Sequence, residues 1–229
     1  EEILKVKRVV NRRILREPLQ YILNETEFYG LKLYLNKNVL IPRQETELVV
    51  EKAVLEIKKN NYKTVADIGT GSGNIALSIA NSCPDAKVFA VDNFVDVLKV
   101  SKKNVILHKL EKKVRVVKSN YLEYFLKKKI KLDLVISNPP YIIEEEYKNL
   151  QPEIYYEPIS SLVCEEGVSS YKKIASNIIK VLNKKATLIV EINPKLEDEI
   201  KKTFLTQKLK LKEIVKDYKN TTIGLVFQN

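Results

Sequence analysis

From Thr64 onward, short runs rich in β-branched residues alternate with segments of helical period, and this alternation leaves few folds open. Strand-like runs at 64–68, 87–92, 114–118, 132–137 and 186–192 are separated by helical stretches at 73–82, 95–109, 121–127 and 168–182. Such strand–helix–strand units, crossing over with a right hand, predict a mostly parallel sheet. A helix at 195–206 then precedes two strands, 209–216 and 221–227, with no room for a helix between them. Those two must pair antiparallel, so the expected α/β sheet is mixed, with about seven strands. Upstream, Ile3, Val6, Val9, Val10 and Ile14 recur at helical spacing until Pro18, and 45–59 reads as another helix with Thr46 as its cap. Between them, Phe28, Leu31, Leu33 and Leu35 alternate with polar positions. That predicts a β-hairpin over 26–41, turning at Asn36-Lys37-Asn38 before Val39-Leu40-Ile41.

The second constraint is where the chain places its glycines. There are six in 229 residues, and Gly69, Gly71 and Gly73 fall between the first strand of the alternating region and the helix after it. Glycine concentrated there argues for a backbone that a ligand approaches closely. Asp92 ends the next strand, where a carboxylate can accept both hydroxyls of a ribose. The arrangement suits a dinucleotide or S-adenosylmethionine. Three details favour the second: Asp67 stands just before the glycines, where it could orient an amino-acid moiety; the third glycine comes too early for a dinucleotide fingerprint; and the antiparallel end of the sheet is not needed by a plain dinucleotide fold.

The third constraint is Asn138-Pro139-Pro140-Tyr141, which follows the strand-like run 132–137. Consecutive prolines lack N–H donors and cannot continue a ladder, so the strand must stop in a stiff, extended turn. In open α/β sheets that edge binds ligands. An amide held before the turn and a ring behind it point to chemistry on a planar nitrogen, although Asn and Pro also serve as ordinary turn residues.

Composition narrows the class. A hydrophobic fraction of 45% supports a sizeable core in one large domain, or one domain with an appendage. No apolar run approaches the roughly 20 residues that span a bilayer, and no signal peptide is visible. Cys83 and Cys164 have no partners at metal-ligand spacing, and His108 lies on a Lys-rich helical stretch. The simplest expectation is a soluble, reduced, cytoplasmic monomer with no metal. The formal charge of +11 is mostly lysine spread over several helices and reads as compositional bias. Arg8, Arg12, Arg13 and Arg16 cluster, as do Lys127-Lys128-Lys129, and either group could form an anionic-partner patch.

Glycine loop, ribose acid and Asn-Pro-Pro-Tyr, in this order, resemble the class I S-adenosylmethionine-dependent methyltransferases that act on planar nitrogens, either adenine N6 or glutamine amide. Phe28-Tyr29-Gly30 and the segment Pro42-Arg43-Gln44-Glu45-Thr46-Glu47 resemble the HemK/PrmC family, the glutamine-N5 methyltransferases of peptide chain release factors. This resemblance covers about residues 18–229. It implies a Rossmann-like methyltransferase domain at 44–229, a linking β-hairpin at 25–43, and at 1–24 the C-terminal part of an N-terminal helical domain otherwise missing here. It assigns Asp67, Gly69, Thr70, Gly71, Ser72, Gly73, Asp92, Asn120 and Tyr121 to the cofactor, with Tyr121 beside the adenine. Asn120 stands where the family usually has an acid. The same resemblance assigns Asn138, Pro139, Pro140 and Tyr141 to the substrate glutamine, with Asn138 also near the cofactor. The expected product is S-adenosyl-L-homocysteine, the expected partners are release factors, and neither nucleic acid nor membrane is expected. A ribosomal-protein glutamine methyltransferase, an adenine-N6 nucleic-acid methyltransferase and an inactive binding protein are the competing readings.

Overall fold

The computed structural model describes residues 2–229. The chain begins with helices α1 (Glu2–Ile14) and α2 (Leu19–Leu23), followed by a hairpin of β1 (Glu25–Phe28) and β2 (Leu31–Tyr34). The alternating region then runs α3 (Glu45–Asn60), β3 (Thr64–Ile68), α4 (Asn74–Ser82), β4 (Lys87–Asp92), α5 (Val95–Leu107), β5 (Val114–Lys118), α6 (Glu123–Lys128) and β6 (Leu132–Ser137). It continues with α7 (Glu144–Tyr147), α8 (Ser169–Val181), β7 (Leu182–Glu191), α9 (Glu197–Leu205), β8 (Lys210–Lys216) and β9 (Thr222–Gln228).

The large sheet has seven strands in the order β5-β4-β3-β6-β7-β9-β8. Strands β5 to β7 are parallel, while β9 runs antiparallel to both β7 and β8. This is the mixed sheet expected from the alternation and the class I methyltransferase fold that the resemblance implies. Side chains of successive strand residues leave on opposite faces. Thus Val65 joins a core shared with α3 and α4, whereas Ala66 and Ile68 join a second core with Phe125 of α6, Ile174 of α8 and Phe204 of α9. The sheet is buried on both faces, which explains why its central strands read as nearly continuous apolar runs.

The hairpin departs from expectation. Its turn is Tyr29-Gly30, both at positive φ (50° and 72°), and not Asn36-Lys37-Asn38. Positive φ at both central residues is what a tight two-residue hairpin needs to match strand twist. Val39-Leu40-Ile41 consequently forms no strand; Val39 and Ile41 are buried with Tyr21 and Leu35 against Val97 and Val100 of α5. The Tyr21 hydroxyl fixes this segment by donating to the Val39 carbonyl at 2.6 Å.

The strand order reverses direction at β3. From there the chain steps outward through β4 and β5, then returns to lay β6 on the other side of β3. Ile68 pairs with Ser137 at this switch point, so the glycine loop and Asn138 leave the sheet from adjacent strand ends. A crevice must open there because the two exits diverge.

Candidate functional site

The crevice is a cavity of about 590 Å³ whose walls include Gly69, Gly71, Asp92, Asn120, Tyr121, Asn138, Pro139 and Pro140. The sheet topology thus brings three separate sequence constellations to one space. The remaining residues singled out from the sequence lie behind this surface. Asp67, Thr70 and Ser72 are buried, and Gly73 opens α4 under the loop. Tyr141 packs into the second core beside the cavity.

The glycine loop is built from beneath. The Asp67 carboxylate accepts from the Thr70 hydroxyl at 2.6 Å and from the Ala76 N–H at 3.2 Å, which holds the loop against the first turn of α4. Its other oxygen, Oδ1, is buried without a partner among the described residues. Burial pushes the Asp67 carboxyl up to about 7, against the pull of these two donors. Above the loop, the Ser101 hydroxyl donates to the Gly71 carbonyl at 2.6 Å, and the Asn104 amide donates to the Ser72 carbonyl at 2.9 Å.

The three glycines play two different parts. All have positive φ. A Cβ on Gly69 or Gly71 would meet nothing within 4 Å among the described residues, so their backbones face open space in the crevice. A Cβ on Gly73 would lie 2.6 Å from the Leu77 side chain, so Gly73 serves packing.

At the cavity wall, Asp92 accepts from the Gly71 N–H at 3.3 Å and from the Phe94 N–H at 3.2 Å, one bond per oxygen. Each oxygen keeps a free lone pair, which suits two vicinal hydroxyls. Burial raises the Asp92 carboxyl above the usual carboxylate range, with the Phe94, Gly71 and Asn93 N–H groups opposing. Asn120 donates its amide to Glu123 at 2.8 Å, which leaves its oxygen as an acceptor at the cavity edge. Bare glycine backbone, a ribose-type acid and an amide acceptor together fit S-adenosylmethionine.

Asn138 is fixed by residues that sequence reasoning did not select. Its amide nitrogen donates to Glu191 Oε1 at 2.8 Å and to the Thr46 hydroxyl at 3.4 Å. Glu191 ends β7, next to β6 in the sheet, and its Oε2 is buried without a hydrogen-bond partner among the described residues. Burial pushes this carboxyl up to about 7, opposed first by the Thr46 hydroxyl. An acid closing the apolar run Thr187-Leu188-Ile189-Val190 was the available signal, since a carboxylate rarely ends a buried strand without a task. Thr46 is not the cap of its helix. The cap is Gln44, without a side-chain cap bond, and Thr46 sits inside the first turn with its hydroxyl free to reach Asn138.

The segment 42–47 therefore acts at three places. Arg43 pairs with the buried Glu157 at 2.5 Å, and the second Glu157 oxygen accepts the Ile41 N–H. Thr46 reaches Asn138, and Glu47 accepts the Tyr29 N–H at 2.8 Å, pinning the hairpin turn to α3. In the N-terminal arginine cluster, Arg12 pairs with Glu17, while Arg13 and Arg16 both pair with Glu153. Those three guanidinium groups are committed to internal contacts.

Residues 46–157 match the methyltransferase small domain family. The chain is 40% identical, over 193 residues, to the release factor glutamine methyltransferase of Clostridium acetobutylicum, covering 83% of this chain and 68% of that protein. It belongs to the release factor glutamine methyltransferase family. It is also 35% identical to a bifunctional methyltransferase of Rickettsia bellii over 89% of its length, but spans only 41% of that longer protein. Among solved structures, a methyltransferase from Pyrococcus furiosus has a TM-score of 0.60 at 16% identity, covering all of this chain and 98% of that one, which supports the fold alone. The methyl donor of this methyltransferase family is S-adenosylmethionine. No helix among the described residues is long and apolar enough to cross a membrane.

Proposed function

We propose that the chain transfers a methyl group from S-adenosylmethionine to the side-chain N5 of the glutamine in the Gly-Gly-Gln loop of peptide chain release factors. The observation that carries this reading is the anchoring of Asn138. With its nitrogen engaged by Glu191 and Thr46, its oxygen is the atom left to meet a substrate. Among the described residues, neither Asn138 Oδ1 nor the Pro139 carbonyl accepts a hydrogen bond. Two unused acceptors on a rigid turn suit an NH₂ group, which has two hydrogens to give.

The bound cofactor supplies an electrophilic methyl on a sulfonium centre. An amide nitrogen is a poor nucleophile because its lone pair is delocalised into the carbonyl. Asn138 and Pro139 hold both N–H bonds, so the lone pair is presented to one side. Pro140 stiffens the turn, and this orientation is where most of the acceleration arises. Tyr141, whose hydroxyl burial pushes up to about 12, stays neutral and packs beside the acceptor rather than acting as a base. No strong base is required, because the methylated nitrogen is cationic and releases a proton readily.

The test is incubation with isotopically labelled S-adenosylmethionine and purified release factors, followed by mass spectrometry to locate the label. Methylation at the Gly-Gly-Gln glutamine is expected. Label on a ribosomal-protein glutamine or on adenine of a nucleic acid, with none on release factors, would overturn the assignment.

A further inference from the structure

The methyl-acceptor reading uses Asn138 but leaves unexplained why a carboxylate is sealed behind it. Glu191 is almost fully buried, one oxygen spent on Asn138 and the other orphaned. An unpaired buried carboxylate oxygen is costly, so a fold carries one only where something else is gained. Strand β7 itself is fixed at this point. The Tyr171 hydroxyl of α8 donates to the Glu191 carbonyl at 2.8 Å, and β9 passes Gly224 directly opposite. A side chain at 224 would press on the Val190 carbonyl at 3.3 Å, so the strands lie close. The carboxylate is thus held on a rigid strand end and aimed at one partner.

An asparagine amide is nearly symmetric in shape, and its two ends differ only in hydrogen-bond sense. In an otherwise neutral turn, Asn138 could present either oxygen or nitrogen to the cavity. Only the oxygen can accept a substrate N–H. We propose that Glu191, assisted by Thr46, is a positioning residue for methyl transfer: it accepts the Asn138 amide hydrogens and so keeps the Asn138 oxygen toward the acceptor amide. This rests on the reading of Asn138 as the holder of the substrate amide, but concerns how this chain sets its own side chain.

The groups facing Glu191 show how the setting responds to pH. Glu45 and Arg43 approach from the start of α3, Tyr141 from the turn, Tyr171 from α8, and Thr46 and Asn138 are in direct contact. Arg43 is committed to Glu157, and the nearby Glu45 opposes ionisation of Glu191. Protonated, Glu191 gains an O–H that can donate, and the Asn138 oxygen becomes its natural partner. The amide would then turn and offer N–H groups to a substrate that also brings N–H groups. Ionised, the carboxylate can only accept, and the productive orientation is enforced.

The experiment begins with wild-type turnover on a Gly-Gly-Gln release factor, because absence of turnover would sink the functional reading and not this one. Given turnover, Glu191→Ala is expected to lower kcat about 100-fold while KM for the release factor changes less than about threefold. Glu191→Gln carries both an acceptor and a donor, as the protonated acid does, so at pH 8 its kcat should fall toward the level expected of the acidified wild type and stay flat through about pH 7, where the wild-type rate is expected to change. Thr46→Val, isosteric and without the hydroxyl, should lose a smaller part of kcat. An independent readout needs no substrate: the ¹⁵N-labelled Asn138 side-chain NH₂ resonances should titrate with Glu191 in wild type and not in Glu191→Gln. Calorimetric S-adenosylmethionine binding and unchanged melting cooperativity certify that the variants are folded. Wild-type kcat in folded Glu191→Ala, or an Asn138 resonance indifferent to Glu191, would overturn the proposal.

Discussion

Asn104 pairs with Tyr34 as though it were a strand. Its oxygen accepts the Tyr34 N–H at 2.7 Å and its nitrogen donates to the Tyr34 carbonyl at 3.0 Å. The same nitrogen also donates to the Ser72 carbonyl, so one buried amide on α5 joins the hairpin to the glycine loop. Replacing it with alanine strands three backbone groups. We expect Asn104→Ala to cost about 3 kcal/mol or more in urea denaturation, since each unpaired buried group costs about 1–3 kcal/mol. The loosened loop should also bind S-adenosylmethionine more weakly by calorimetry.

The glycines separate stability from binding. Gly73→Ala drives a methyl toward Leu77 at positive φ, and an unfolding loss of about 2 kcal/mol is expected. Gly71→Ala meets no protein atom, so it should lose only about 1 kcal/mol of stability through its φ. Its methyl enters the crevice, and calorimetry should show cofactor affinity falling far more than in Gly73→Ala.

If Asn138 holds the substrate amide as proposed, Asn138→Ala separates chemistry from cofactor binding, because Asp92 and the glycine loop keep their own hydrogen bonds. Single-turnover rates should fall about 100-fold or more, with the S-adenosylmethionine dissociation constant within about threefold of wild type. A comparable loss in cofactor affinity would place Asn138 chiefly at the cofactor.

Asp67 and Glu191 should make the protein less stable as pH rises. Both carboxyls are pushed up to about 7 by burial, above their unfolded values. Between about pH 4 and 7 the folded state then binds more protons than the unfolded state, so this stabilisation is complete below about 4 and lost as pH rises through about 7. Glu17, held down to about 2 by Arg12, works in the opposite sense but in a more acidic window. Asp67→Asn and Glu191→Gln should each gain ground on the wild type from pH 5 to pH 8 in urea midpoints. A gap that stays constant across that range would contradict it.

These sites also mark what a sequence reading can reach. The succession of strands and helices, the antiparallel end and the ligand-binding edge follow from local patterns, because strand and helix periods are properties of neighbouring residues. The hairpin turn was misplaced because Asn36-Lys37-Asn38 carries stronger turn chemistry than Tyr29-Gly30, where tyrosine accepts a positive φ that its type disfavours. Helix α2, only five residues long, is too short to show a period. Thr46, Asn104 and Glu191 escaped for another reason. Their partners lie 92, 70 and 53 positions away, and each reads locally as a helix cap, a polar helix residue or a strand end.

The position of β9 between β7 and β8 has a kinetic consequence. One wall of the crevice comes from the ends of β3, β4 and β5, which local crossovers join. Strand β7 keeps a raw edge until β9 returns from beyond β8 to cover it. The burial of Glu191, opposite Gly224, depends on that return. On the proposed reading, the part of the sheet that would hold the methyl donor is built from strands near one another in sequence, whereas the strand end that would direct the methyl depends for its cover on the last strand of the chain.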